Sequence, residues 1–111
     1  LGVRGVTLSP ILAELMNLDE DQRGVLVQEV AADSPADRAG LRGSFRPVIV
    51  NGQRILIGGD VIIGWSGADI TDVDDLNTAL AQAEAGDEVT LSILRNGRER
   101  EVEVTLAAQP R

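Results

Sequence analysis

The chain contains no histidine and no cysteine, and every one of its ten basic residues is arginine. Each absence closes a class of function. Without His or Cys there is no imidazole base and no thiol nucleophile, and no Ser stands in a G-x-S-x-G elbow, so a conventional hydrolytic triad cannot be assembled. The chain is therefore expected to have no peptidase or other catalytic activity of its own. The lack of Cys also removes any disulfide or thiolate metal site, and leaves the redox compartment open. Aromatics are almost missing: Phe45 and Trp65 are the only two, and Tyr is absent. A core must then be built from Val, Ile, Leu and Ala. No apolar run approaches the roughly 20 residues that a membrane-spanning helix needs, so direct membrane insertion is not expected. Positive charge is scarce as well. The arginines are scattered among 18 acidic residues, for a net charge of −8. Nucleic-acid binding needs a basic patch, and this balance argues against it.

What is present fits one small domain. A chain of 111 residues can bury a single modest core. It opens at Leu1 without Met or a basic leader, which reads as no signal peptide and as an excised piece of a longer protein. Residues 2–7 form a short, Gly-containing, β-prone stretch. Ser9-Pro10 is a helix start, Ser as N-cap and Pro in the first turn, and Ile11, Leu12, Leu15 and Met16 follow at helical spacing. Residues 24–31 read as a strand. Ser34-Pro35 repeats the capping signal, and Gly40 closes that short helix. Two β-rich runs, 48–50 and 54–57, flank Asn51-Gly52, the strongest local signal for a hairpin. After Gly58-Gly59 comes a buried strand over 60–65. The longest helix covers 73–83, capped by Thr71 or Asp72, with an apolar stripe of Val73, Leu76, Leu80 and Ala83. Val89, Leu91 and Ile93 alternate, Asn96-Gly97 turns the chain, and Val102, Val104 and Leu106 alternate on the way back. The tail 107–111 is expected to fray. The fold class is α+β and mostly antiparallel, the small sheet curling or being capped by two to three helices.

Several clusters invite a chemical reading and are better explained by structure. Asp72, Asp74 and Asp75 could hold a divalent cation, but they lack the order of a calcium loop and suit a helix N-terminus, so no metal is expected. Gly58-Gly59-Asp60 leads into a strand, not a helix with free amides, and reads as a turn rather than a phosphate site. Arg95-Asn96-Gly97-Arg98 reads as a solvated hairpin tip in preference to a docking point for an acidic partner. Trp65 reads as core. One arrangement remains that could bind. The strand at 2–7 and the helix at 73–83 could lie side by side, leaving a strand edge that accepts an extended peptide. A glycine just before that strand would leave amides free for a terminal carboxylate. The alternative is that strand and helix simply pack into the core.

The order of motifs tips the balance. Leu1-Gly2-Val3 is similar to the carboxylate-binding loop of PDZ domains. Gly24-Val25-Leu26-Val27, Ser34-Pro35-Ala36, Ala39-Gly40-Leu41, Gly59-Asp60-Val61-Ile62, Gly67, Val73 with Asp75-Leu76, Ala85-Gly86-Asp87 and Leu94-Arg95-Asn96-Gly97 follow in PDZ order. The match runs over nearly the whole chain. It resembles the PDZ domains of bacterial HtrA (Deg) trypsin-like serine proteases. That resemblance implies a partly closed antiparallel β-barrel or sandwich over residues 1–106, capped by two to three helices, with an extra β-hairpin inserted at 42–58. It implies a module that captures polypeptide C-termini or unfolded apolar segments for a protease domain in cis. The parent would be extracytoplasmic, in the periplasm or cell envelope, and open to homo-oligomer formation, and no cofactor is implied. Carried over by position, the loop of Leu1, Gly2 and Val3 would hold the carboxylate. Val3, Arg4, Gly5 and Val6 would pair with the peptide, and Val73, Asn77 and Leu80 would face it from the helix. An apolar terminal side chain would sit near Leu1, Val3 and Leu80. Asn77 stands where a charged selector could be, which leaves side-chain preference open. The rival readings are a PDZ-type interaction module of a non-protease scaffold or secretion protein, and a groove used only as a docking surface within an oligomer. The inserted hairpin reads as an appendage that a short linker could replace without loss of fold.

Overall fold

Capping chemistry decides where the helices begin. The structure is a computed structural model that describes residues 2–106, so Leu1 and the tail 107–111 lie outside the described residues. Helix α1 (Pro10–Leu15) starts where Ser9 Oγ accepts from the Leu12 N–H at 3.2 Å. Helix α2 (Pro35–Arg38) starts the same way: Ser34 Oγ accepts from the Asp37 N–H, while the Asp37 carboxylate reaches back to the Asp33 N–H. In α3 (Val73–Gln82) Asp72 caps the Asp75 N–H at 2.8 Å, and Asp75 accepts both the hydroxyl and the N–H of Thr71. The starts of α2 and α3 thus resemble capping boxes, with an Asp in the third helical position reaching back to the N–H of the residue before the cap. Hydrogen bonds from the Thr71 hydroxyl and then its N–H hold the Asp75 carboxyl below its ordinary pKa. Asp72 and Asp75 thus each commit one carboxylate oxygen to the helix end.

The strands β1 (Val3–Thr7), β2 (Val25–Val30), β5 (Val61–Trp65), β7 (Glu88–Arg95) and β8 (Arg98–Thr105) form one antiparallel sheet in the order β1-β2-β5-β7-β8. A two-residue strand β6 (Ala68–Asp69), which pattern reading misses, pairs with β5. The hairpin strands β3 (Arg46–Val50) and β4 (Gln53–Ile57) make a second, two-stranded sheet. Both Asn-Gly turns carry positive φ at both central residues, 51° and 78° at Asn51-Gly52 and 55° and 77° at Asn96-Gly97, as a two-residue hairpin requires. Among the described residues the main sheet is open: β1 and β8 are its edges, and no barrel closes.

Alternation along the strands sends side chains to two cores. Val25, Val27, Ile62, Leu91 and Ile93 face α2 and α3, joined by Ala36, Leu76 and the buried Trp65. Leu26 and Val61 face the other way, toward Leu12 and Ala13 of α1 and Ile57 of the hairpin. The sheet is therefore the middle layer, which is how a sheet this small hides both faces.

Three expectations need correction. The α1 stripe is only half realised: Leu12 and Ala13 are buried, whereas Ile11 and Leu15 remain 49% and 43% exposed, because a six-residue helix offers one narrow contact face. The 42–58 hairpin is no appendage. Ile57 is buried, Val48, Val50 and Ile55 pack against the second core, and the Gln28 side chain bonds to both backbone groups of Leu56. Arg95 is not a solvated tip residue. Its side chain is 14% exposed and grips Asp60, itself 1% exposed, through Nε at 2.8 Å and a second bond at 2.7 Å. Asp60 also accepts the Arg42 N–H, and Arg95 reaches the Gly40 carbonyl. The hydrogen bond to Asp60 raises the arginine pKa above its ordinary value.

Candidate functional site

Strand β1 is an edge, and its backbone has one side to spare. At its ends the Ala31 N–H donates to the Gly2 carbonyl, and the Leu8 N–H donates to the Gly24 carbonyl, both at 2.8 Å. The register slips between Arg4/Glu29 and Gly5/Val27, so the extra residue is Gln28 on β2, and alternation along β1 is unbroken. Even-numbered residues then turn their backbone groups toward β2. Those of Val3, Gly5 and Thr7 turn toward the open edge. Arg4 and Val6, expected in the same strand contact, sit between them with their backbone groups turned to β2.

Helix α3 runs beside that edge. Its first N–H, from Val73, donates to Thr7 Oγ1 at 3.1 Å and ties the helix start to the end of β1. Val3, Val73 and Leu80 are each half-buried against the first core, and Asn77 is exposed. Val3, Val73 and Leu80 thus pack against one core, an apolar seam on the α3 side of β1, and Asn77 faces solvent. Gly5 lets β1 lie close on β2, since a Cβ there would lie 2.5 Å from Val25 Cγ1. Leu1, the remaining expected contact, lies outside the described residues.

The loop before β1 demands glycine. Gly2 has φ +90°, and a Cβ at that position would fall 2.2 Å from Ser34 Cβ. Ser34 is itself fixed, donating to the Ala31 carbonyl at 2.7 Å while capping α2. Ser34 therefore braces the loop as well as starting a helix, a role the capping signature alone does not reveal. Arg4 and Glu29 form a 2.8 Å ion pair on the opposite face, with both side chains largely exposed. Such a pair adds little stability.

The chemistry available here is recognition. Unpaired backbone donors and acceptors at alternate residues can accept an extended chain as a further strand, and the apolar seam can take its alternate side chains. The Thr7 hydroxyl is engaged with α3, and the chain has no His or Cys to activate it.

Known proteins resemble this chain in sequence and fold. The sequence pattern of the PDZ domain matches residues 1–106. The periplasmic pH-dependent serine endoprotease DegQ of Escherichia coli is 35% identical over 106 residues, which is 96% of this chain and 20% of DegQ. The chain spans about a fifth of the length of the curated relatives it matches. Among solved structures, the HtrA-type protease AlgW with a decapeptide gives a TM-score of 0.75 at 27% identity, covering 100% of this chain and 29% of that one. The HtrA3 PDZ domain bound to a phage-derived ligand gives 0.69 at 24% identity, covering 95% of this chain and 81% of that one, a likeness of fold.

Proposed function

This chain belongs to the PDZ domain family, and from that membership we propose that it is the substrate-recognition and regulatory module of an HtrA-type serine protease. It takes a polypeptide C-terminus, or an extended apolar segment, as an added strand on β1. The observation that carries this reading is the open edge of Val3, Gly5 and Thr7 beside the apolar seam of Val3, Val73 and Leu80. The terminal carboxylate meets the amides where the Gly2 loop enters β1, and the last side chain enters the seam. Proteolysis belongs to a protease domain in the parent, since this chain lacks His and Cys. A periplasmic setting follows from relatives such as DegQ, whose name carries it. The likeness to DegQ favours this reading over a module of a non-protease scaffold or secretion protein. A trypsin-like domain in the sequence upstream would decide between them.

The test is direct. Labelled peptides ending in an apolar residue are titrated with the domain and followed by fluorescence anisotropy. The expected dissociation constant is about 1–100 μM, or about 5.5–8 kcal/mol. Amidating the peptide C-terminus should weaken binding severely. Equal binding of acid and amide would remove the carboxylate from the mechanism.

A further inference from the structure

The two faces of β1 lead to different walls. Val3 packs in the core beneath α3, whereas Val6 packs in the core shared by α1 and the β3–β4 hairpin. A strand added to β1 alternates in the same way. If its terminal side chain points at α3, then its second and fourth side chains, counted from the C-terminus, point to the hairpin side. On that side the structure holds a hollow of about 700 Å³, bounded by Arg4 and Val6 of β1, Glu29 of β2, and Arg54, Ile55 and Leu56 of β4. Gly5 of β1 and Gln28 of β2 also line it, so the hollow lies between the β1–β2 pair and the hairpin.

Its charge is unusual for this chain. Arg4 is neutralised by Glu29. Arg54 is exposed and has no ion-pair partner among the described residues. The rim therefore carries one uncompensated positive charge on a chain of net charge −8. The wall that bears Arg54 is also held in place, because Gln28 fixes the backbone of the neighbouring Leu56. A charge on a positioned strand selects partners better than one on a free loop.

We propose that the β3–β4 hairpin is the second wall of the peptide site, and that Arg54 selects acidic side chains at the second and fourth positions from the ligand's C-terminus. This rests on the strand-addition reading above. The hairpin thereby supplies a charge to the site that Asn77, an uncharged residue on α3, does not.

The experiment uses three free-acid peptides with the same apolar terminus and with Glu, Gln or Lys at both positions, titrated against the parent domain, Arg54→Glu and Arg54→Gln. The parent should bind the Glu peptide about fivefold or more tightly than the Lys peptide, and Arg54→Glu should reverse that order. Arg54→Gln should flatten the preference without reversing it. Added salt at about 0.5 M should shrink the preference, because the charges lie at an open rim. If the order of the three peptides is the same for all three proteins while each still binds, the hairpin is not a wall of the site and this proposal falls, with strand addition left standing. If no free-acid peptide binds the parent, strand addition fails and takes this proposal with it.

Discussion

The carboxamide of Gln28 closes two hydrogen bonds with the backbone of Leu56: Nε2 donates to the carbonyl at 2.6 Å, and the Leu56 N–H donates to Oε1 at 2.9 Å. A side-chain amide offers the same donor and acceptor as a peptide unit. Gln28 is the extra residue at the β2 irregularity, so a side chain continues the hydrogen bonding where the backbone ladder is interrupted. In this way the hairpin joins the domain without entering its main sheet.

Gln28→Ala should therefore loosen the hairpin first. It strands both backbone groups of Leu56, at a cost of about 1–3 kcal/mol. Hydrogen exchange should show faster exchange at the Leu56 amide, with that of Leu26 nearly unchanged. Replacing residues 46–57 by a short Gly-Ser link should cost more, since it also removes buried Ile57, worth about 1.5–3 kcal/mol. Loop closure itself contributes little to the difference. A shortened domain that melts at the parent temperature would show that the hairpin adds nothing to the core.

The Asp60–Arg95 pair makes a second test. The carboxylate is buried and accepts from Arg95 twice and from the Arg42 N–H once, so it has no unmet demand while the arginine is present. Arg95→Ala leaves a buried charge without its partner, which should cost about 3–5 kcal/mol in urea unfolding. The loss should persist in salt, because burial shields the pair from screening. A cost under about 1 kcal/mol would place the pair among ordinary surface bridges.

Much of this was legible in the chain, for reasons that are local. The caps at Ser9, Ser34 and Asp72 and the turns at Asn51-Gly52 and Asn96-Gly97 work through neighbouring backbone groups, so short patterns reveal them. Long-range partnerships left no such trace. Nothing near Arg95 announces a carboxylate 35 positions earlier, and Gln28 finds Leu56 across 28 residues. Strand β6 is two residues long and too short to alternate. For the proposed site, the apolar stripe picks out Val73 and Leu80, which pack against the first core. The parity of β1, which decides that Val3, Gly5 and Thr7 face the open edge, depends on a bulge in another strand.

Gly2→Ala should separate loop shape from groove chemistry. The new methyl group would collide with Ser34 and would sit on a backbone at φ +90°. Relieving the clash should displace the loop, costing about 1–3 kcal/mol and most of the peptide affinity. Adding Ser34→Gly removes the collision but not the unfavourable dihedral, so the double variant should regain only part of both. Full affinity in the single variant would mean that the loop does not shape the site.

Leu80 and Leu76 lie one turn apart on α3 and should answer differently. Leu80 is half-buried at the seam, while Leu76 is buried in the core beneath the helix. Leu80→Glu would set a negative charge near the incoming carboxylate and remove apolar surface from the terminal pocket. Like charges repel there, and a partly desolvated seam strengthens the repulsion. Its side chain can still reach water, so the fold should survive. Leu76→Ala leaves a cavity with no ligand contact, and should cost about 2–5 kcal/mol of stability. Its affinity for peptide should change little under conditions where it remains folded. The two variants are compared by circular dichroism melting and by peptide titration. The expected contrast is a folded Leu80→Glu that does not bind and a destabilised Leu76→Ala that does. If Leu80→Glu binds as well as the parent, the seam between β1 and α3 is not the peptide site. If it unfolds, Leu80 belongs chiefly to the core, and Asn77→Asp then carries the test. That exposed position places the same charge on the seam without touching the core, and it should weaken free-acid peptides more than amidated ones.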